Sequence, residues 1–157
     1  MEVYYETFLD INRKAMLVLS TWVVLNFLTS VFWLFKSKGM NKYFHQMNIG
    51  WNIVNLVIVV FSLYGMEEIT TLNPQFLIEE QSFIERFLFL NIGLDCAYMA
   101  LGWGMIQQSI HLNKNPLRIR GFGKSLLIQG GFLFLFDLGY FSFHSIHGQG
   151  IWQVLSL

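Results

Sequence analysis

Asp95 is the only charged residue between Arg86 and Lys114, and Asp137 is the only one after Lys124. An aspartate at the centre of a bilayer costs roughly 2.5–3.5 kcal/mol on insertion scales, so such acids face protein or water and mark sites that bind protons, ions or polar groups. No Lys or Arg stands in either stretch to neutralise them. Burial and a neighbouring like charge both disfavour the ionised carboxylate. At least one of the two is therefore expected to carry a proton at neutral pH, or a bound cation to replace the missing charge.

The polar residues around these acids recur at helical spacing. In "YFHQMNIGWNIVNLVIVVFSLYG" (43–65), His45, Asn48, Asn52 and Asn55 follow one another at steps of three, four and three. Residues three and four apart are neighbours on a helix, so they form one stripe. Asn91, Asp95, Tyr98 and Gly102 form a second stripe, and Asp137, Tyr140, His144 and His147 a third. Asn26, with Trp22, Ser30 and Trp33 on its face, is the polar residue of the first hydrophobic stretch. At 1.5 Å per residue, Asn26, Asn55, Asp95 and Asp137 lie roughly 9–18 Å from the same membrane surface. A polar layer at one depth follows. Asp95 and Asp137 would supply charge, and Asn26, Asn48, Asn52, Asn55, Asn91, Tyr98 and Tyr140 would supply dipoles to a ligand or ion. The structural alternative is that the asparagines hydrogen-bond helices together and that Gly50, Gly93, Gly102, Gly104, Gly130 and Gly131 permit close packing. "MNIGWNIVN" (47–55) and "LNIGLDCAY" (90–98) share N-I-G-x-(N/D), which would set Asn52 opposite Asp95.

The elements that must position these residues are membrane spans. The chain has 157 residues, enough for one domain over 1–157, and only 13% are charged, against about 25% in a soluble domain. Four stretches reach the roughly 20 mostly apolar residues that cross a bilayer. They predict an all-α, polytopic four-helix transmembrane bundle with helices at about 14–36, 43–65, 83–109 and 121–145. In the N-terminal "MEVYYETFLD", Tyr4 and Phe8 share one face with Ile11, and Glu2, Glu6 and Asp10 share another. That pattern predicts a short interfacial helix rather than a secretory signal. Turns are expected at Asn73-Pro74 and Asn115-Pro116, because the residue before proline avoids the helical region.

Lys36, Lys38, Lys42, Lys114, Arg118, Arg120 and Lys124 fall on one side, and only Arg13, Lys14 and Arg86 on the other. The positive-inside rule then makes the two basic loops cytoplasmic and puts both termini outside. Zero net charge gives no basic surface for nucleic acid. A single cysteine, Cys96, excludes an internal disulfide and a multi-thiolate zinc site. His144 and His147 share a face near the acidic outer loop, where a weak divalent-metal site is conceivable. A haem needs two imidazoles facing each other inside the bundle, and His45 and His111 lie too near one edge, which disfavours it. No nucleophile triad, phosphate-binding glycine loop or zinc-protease motif occurs; "GFGK" (121–124) lacks the strand and spacing of a phosphate loop.

The segments "YFHQMNIGWNIVNL" (43–56) and "RGFGKSLLIQGGFLFLFD" (120–137) resemble an uncharacterised family of small four-helix membrane proteins of bacteria, common in the Bacteroidetes. The similarity spans most of the chain. It implies four helices and an inner-membrane location, and brings no activity and no catalytic residues. Three functions stay open: a protein that binds or moves a proton, cation or small polar ligand; a non-catalytic subunit of a membrane complex whose polar layer is structural; and a membrane enzyme or electron carrier. Four helices enclose no wide pore, so a channel would need several copies or a partner membrane protein.

Overall fold

A computed structural model describes residues 2–68 and 74–155, which form four helices. They are α1 (Glu2–Lys36), α2 (Gly39–Glu68), α3 (Pro74–Gln108) and α4 (Pro116–Leu155). Each contains a segment long and apolar enough to cross a membrane. The helices outrun the spans expected from charge-free stretches, because charged and polar residues bound a span in lipid without ending a helix; α4 runs on even through Gly148 and Gly150. For the same reason the N-terminal segment is not a separate interfacial element. It is the first turns of α1, which runs unbroken through Arg13 and Lys14.

The helix boundaries follow backbone chemistry. Pro74 and Pro116 each open a helix, where a missing N–H goes unmissed; the rest of the expected turn at Asn73-Pro74 lies outside the described residues. Asn115 takes φ 55° and its carbonyl accepts from the N–H groups of Arg118 and Ile119, starting α4. Gly39 takes φ 57°, which lets α2 begin with only two residues between it and the end of α1.

The polarity is inverted relative to a soluble protein. Among the described residues, thirteen polar or charged side chains are buried against nine hydrophobic ones. Phe35, Phe61, Phe89, Leu135 and Ile146 lie largely exposed around the outside. An apolar exterior over a polar interior is the arrangement a lipid solvent selects.

Helix α4 is the hub, packing against α1, α2 and α3. Its seam with α3 repeats every seven residues. Gln81, Leu88, Asp95 and Gly102 are buried on α3, and His144, Asp137, Gly130 and Gly123 face them in antiparallel register. A sustained heptad repeat is the signature of knobs-into-holes packing. At one end the backbones meet: a Cβ on Gly102 would lie 2.7 Å from the Gly123 carbonyl oxygen, and one on Gly123 would lie 2.6 Å from the Gly102 carbonyl oxygen. A Cβ on Gly130 would lie 3.3 Å from the Asp95 carbonyl oxygen. The close-packing expectation thus holds at Gly102 and Gly130. It fails at Gly50, Gly93 and Gly104, where an added Cβ would meet nothing within 4 Å; Gly131 is only loosely covered, by Met99.

Candidate functional site

The close approach at Gly130 determines where the acids meet. Every Cα–Cβ bond tilts toward its helix N-terminus. In an antiparallel pair, Asp95 on α3 and Asp137 on α4, one heptad apart in register, therefore lean toward each other. Their side chains come close enough to interact across the α3–α4 seam. Both residues are buried, at 3% and 6% exposure. Asp95 Oδ2 has no hydrogen-bond partner.

The pair lies on the wall of a cavity of about 900 Å³, toward the upper end of the roughly 300–1,000 Å³ usual for small-molecule sites. All four helices contribute walls. Of the residues expected to form the polar layer, Asn55, Asn91, Tyr98 and Tyr140 line it together with both acids. Asn55 is 2% exposed, and its Nδ2 has no acceptor. Among the described lining residues there is no Lys or Arg, and the third acid is Glu80 toward the far end. The rest of the wall is mostly apolar, including Ile58, Phe61, Phe83 and Phe87.

The cavity opens sideways. Among the described residues α2 and α3 make no extended helix–helix contact. They meet where Trp51 and Tyr98 stack edge to face, centroids 4.8 Å apart. From that contact the cavity follows α2 to Met66, roughly 22 Å at 1.5 Å per residue. Phe61, Phe83 and Phe87 on its rim are exposed on the outer surface of the bundle.

Three of the expected site residues lie elsewhere. Asn48 is the centre of a separate, paired network. Its Oδ1 accepts from Ser125 Oγ at 2.6 Å and Gln129 Nε2 at 3.1 Å, and its Nδ2 donates to Ser30 Oγ at 3.3 Å. Gln129 Oε1 in turn accepts from Trp22 Nε1 at 3.0 Å, and the Trp22 ring stacks on Phe132 at 3.8 Å. This network ties α1, α2 and α4. Asn52 is fully buried and donates back to the Asn48 carbonyl at 2.7 Å. It does not line the cavity, so Asn55, one turn further on, and not Asn52, stands with Asp95. Asn26 is half-buried and donates to the Trp22 carbonyl of its own helix at 3.1 Å. Equal depth did not imply equal facing, because helix rotation about its axis is independent of depth.

The suggested metal pair at His144 and His147 finds its first member occupied. His144 is fully buried, with Nδ1 3.1 Å from Gln81 Oε1 and Nε2 3.0 Å from Asn12 Oδ1. Each ring nitrogen faces an amide oxygen of the protein, so neither is turned toward an open position where a metal could sit. No group of three or more His, Cys, Asp or Glu comes together in a metal-binding arrangement among the described residues. His147 lies against the Tyr4 ring, centroids 5.8 Å apart.

Asn12 and Gln81 are site-shaping residues the sequence did not mark. Asn12 lines the cavity and accepts the Tyr140 hydroxyl hydrogen bond. Gln81 donates to Glu85 Oε1 at 2.8 Å and to the His144 carbonyl. Both lie just beyond the stretches read as spans. The signal that could have found Gln81 is its seven-residue spacing from Leu88 and Asp95.

No curated protein and no solved structure matches this chain. Over residues 18–138, which include Asp95 and Asp137 and most of α1 to α4, the sequence fits the family of unknown function DUF6992, and the chain belongs to that family.

Proposed function

We propose that this protein is an integral membrane protein whose Asp95–Asp137 pair is an intramembrane site for a proton or cation. The observation that carries the reading is a pair of buried carboxyls on the wall of one cavity, with no Lys or Arg among its described lining residues. Two buried carboxylates beside each other resist ionising together, so one of them keeps a proton. The pair then holds one proton and one negative charge, and can exchange that proton or bind a counter-cation. The resemblance to bacterial four-helix proteins supports an inner-membrane location. The lysine and arginine distribution supports cytoplasmic loops at Lys38 and Lys114 with both termini outside. In that orientation the cavity runs from mid-membrane toward the outer end of α2.

Infrared spectroscopy of the protein in lipid tests this reading. A protonated-carboxyl C=O band is expected at pH 7 in the wild type, and it should disappear in Asp95→Asn/Asp137→Asn. A wild-type spectrum with no such band from pH 5 to pH 9 overturns it.

A second reading, an accessory subunit of a membrane complex, draws on the Asn48 network. That network is paired throughout and joins three helices without reaching the cavity. It accounts for one part of the polar layer as structural and leaves the acid pair unexplained.

A further inference from the structure

We infer that the cavity is a lateral binding site for a lipid-soluble primary amine: an amphiphile whose ammonium head meets Asp95 and Asn55 and whose single apolar chain lies along α2 and α3. The inference rests on the acid-pair reading above and names the ligand class of that site.

Four observations carry it. The first is complementarity at the head. Asp95 Oδ2 is an acceptor without a donor, and Asn55 Nδ2 is a donor without an acceptor. Both residues are more than nine-tenths buried, and both line the cavity. Buried polar groups are normally paired, and each exception calls for an explanation. A head that donates through N–H and carries an oxygen or a bound water beside the nitrogen satisfies both.

The second is charge. Two carboxyls sharing one proton leave one negative charge in an apolar surround. No Lys or Arg stands among the described lining residues to balance it. A monocation completes the balance and a neutral alcohol does not, since an unpaired buried charge is the costly case.

The third is shape. Beyond the acids the cavity wall is apolar for most of its length, with Ile58, Phe61, Phe83 and Phe87 along it. A hydrated inorganic cation would leave this length unfilled. An alkyl chain would bury against it, at about 25 cal/mol per Å² of apolar surface removed from water.

The fourth is access. The opening lies between α2 and α3, which each pack on α4 without an extended contact between themselves among the described residues. Its rim residues are exposed on the face the bundle turns to lipid. A ligand that partitions into the bilayer enters there directly, without crossing the helix ends.

The test uses the full-length protein in nanodiscs of zwitterionic phospholipid, with dodecylamine brominated at its terminal carbon as the probe. Quenching of tryptophan fluorescence in a Phe61→Trp background reads occupancy, because position 61 lines the apolar length of the cavity where the brominated chain end would lie. Saturable quenching is expected in the otherwise wild-type protein, with at least tenfold weaker binding in Asp95→Asn and a smaller loss in Asn55→Ala, whose amide N–H meets the ammonium only through a water. Ile58→Phe, which narrows the apolar length and leaves the head groups intact, should also weaken binding while retaining the protonated-carboxyl infrared band. Dodecanol should fail to compete, and dodecylamine without bromine should compete fully. Dodecanol competing as well as dodecylamine overturns the assignment, because a neutral head would then suffice. Non-saturable quenching that is unchanged in all three variants also overturns it, as simple partitioning into the bilayer. If the wild type shows the infrared band and either of these results, the ligand class fails and the acid-pair reading stands. If the band is absent, the acid-pair reading itself has failed.

Discussion

Asn26 and Asn48 look alike in the sequence, each an asparagine in the middle of a hydrophobic stretch, but they should differ widely when cut to alanine. Asn48→Ala removes three hydrogen bonds between helices, to Ser30, Ser125 and Gln129. Interhelical hydrogen bonds in membrane proteins average about 0.6 kcal/mol each, so their direct loss is roughly 2 kcal/mol. Ser125 and Gln129 are buried, and a polar group stranded without a partner costs about 1–3 kcal/mol. Part of that second loss is relieved, because Gln129 keeps its bond to Trp22. The expected destabilisation is therefore about 2–4 kcal/mol. Asn26→Ala loses one bond within its own helix at a half-buried position and should stay within about 0.5 kcal/mol of wild type. Equilibrium unfolding in mixed micelles, with SDS as the denaturant, measures both. A double-mutant cycle of Asn48→Ala with Gln129→Ala should give a coupling of about 0.6–1.7 kcal/mol. If Asn48→Ala falls within 0.5 kcal/mol of Asn26→Ala, on the same scale of surface-like effects, the network does not hold α1, α2 and α4 together.

Gly123→Ala should destabilise the same unfolding transition by about 1–3 kcal/mol, since its Cβ would meet the Gly102 carbonyl and overpacking costs that much; Gly50→Ala, with open space around it, should be neutral or gain up to about 1 kcal/mol of helix propensity. Equal effects at the two sites would remove Gly123 from the α3–α4 contact. In a Cys96→Ser background, a membrane-impermeant thiol reagent applied to intact cells should label Glu79→Cys and spare Ser37→Cys; the opposite pattern inverts the topology.

The membrane fold was legible because hydrocarbon applies one strong rule along the whole chain: charge-free runs of sufficient length must span. The inward face of α2 was legible for the same reason, since Asn48, Asn52 and Asn55 could not face lipid, and all three are buried. What the stripe could not show is that it divides. Asn48 turns to Ser125 and Gln129 of α4, and Asn55 turns to the cavity beside Asp95. That split depends on where α4 sits, and α4 sits where Gly102, Gly121, Gly123 and Gly130 let backbones approach. Depth can be counted along one helix, but facing needs the neighbours. Asn12 and Gln81 were missed because membrane spans were bounded by charge. The helices continue past those charges, so residues outside the counted spans still reach the interior.

The same seam explains how the fold tolerates an acid pair at its centre. On α3 and α4 the pair is bracketed by two fastenings. Gly102 against Gly123 is a backbone contact with no room to slide. Gln81 against His144 is a side-chain clasp reinforced by Asn12 of α1 and by Glu85. Between them, Asp95 and Asp137 are brought together by helix geometry rather than by a favourable charge. On the other side, the Asn48 network binds α2 to α1 and α4 and leaves α2 and α3 apart beyond Trp51 and Tyr98. A bundle built only for stability would close that gap, because lipid-exposed helices gain dispersion contacts by packing together. Here each of the two helices is fastened to α4 and neither is fastened along the other, so the open face falls on the side where the unpartnered atoms of Asp95 and Asn55 lie. The arrangement of the fastenings, more than the acids alone, is what makes this position a site.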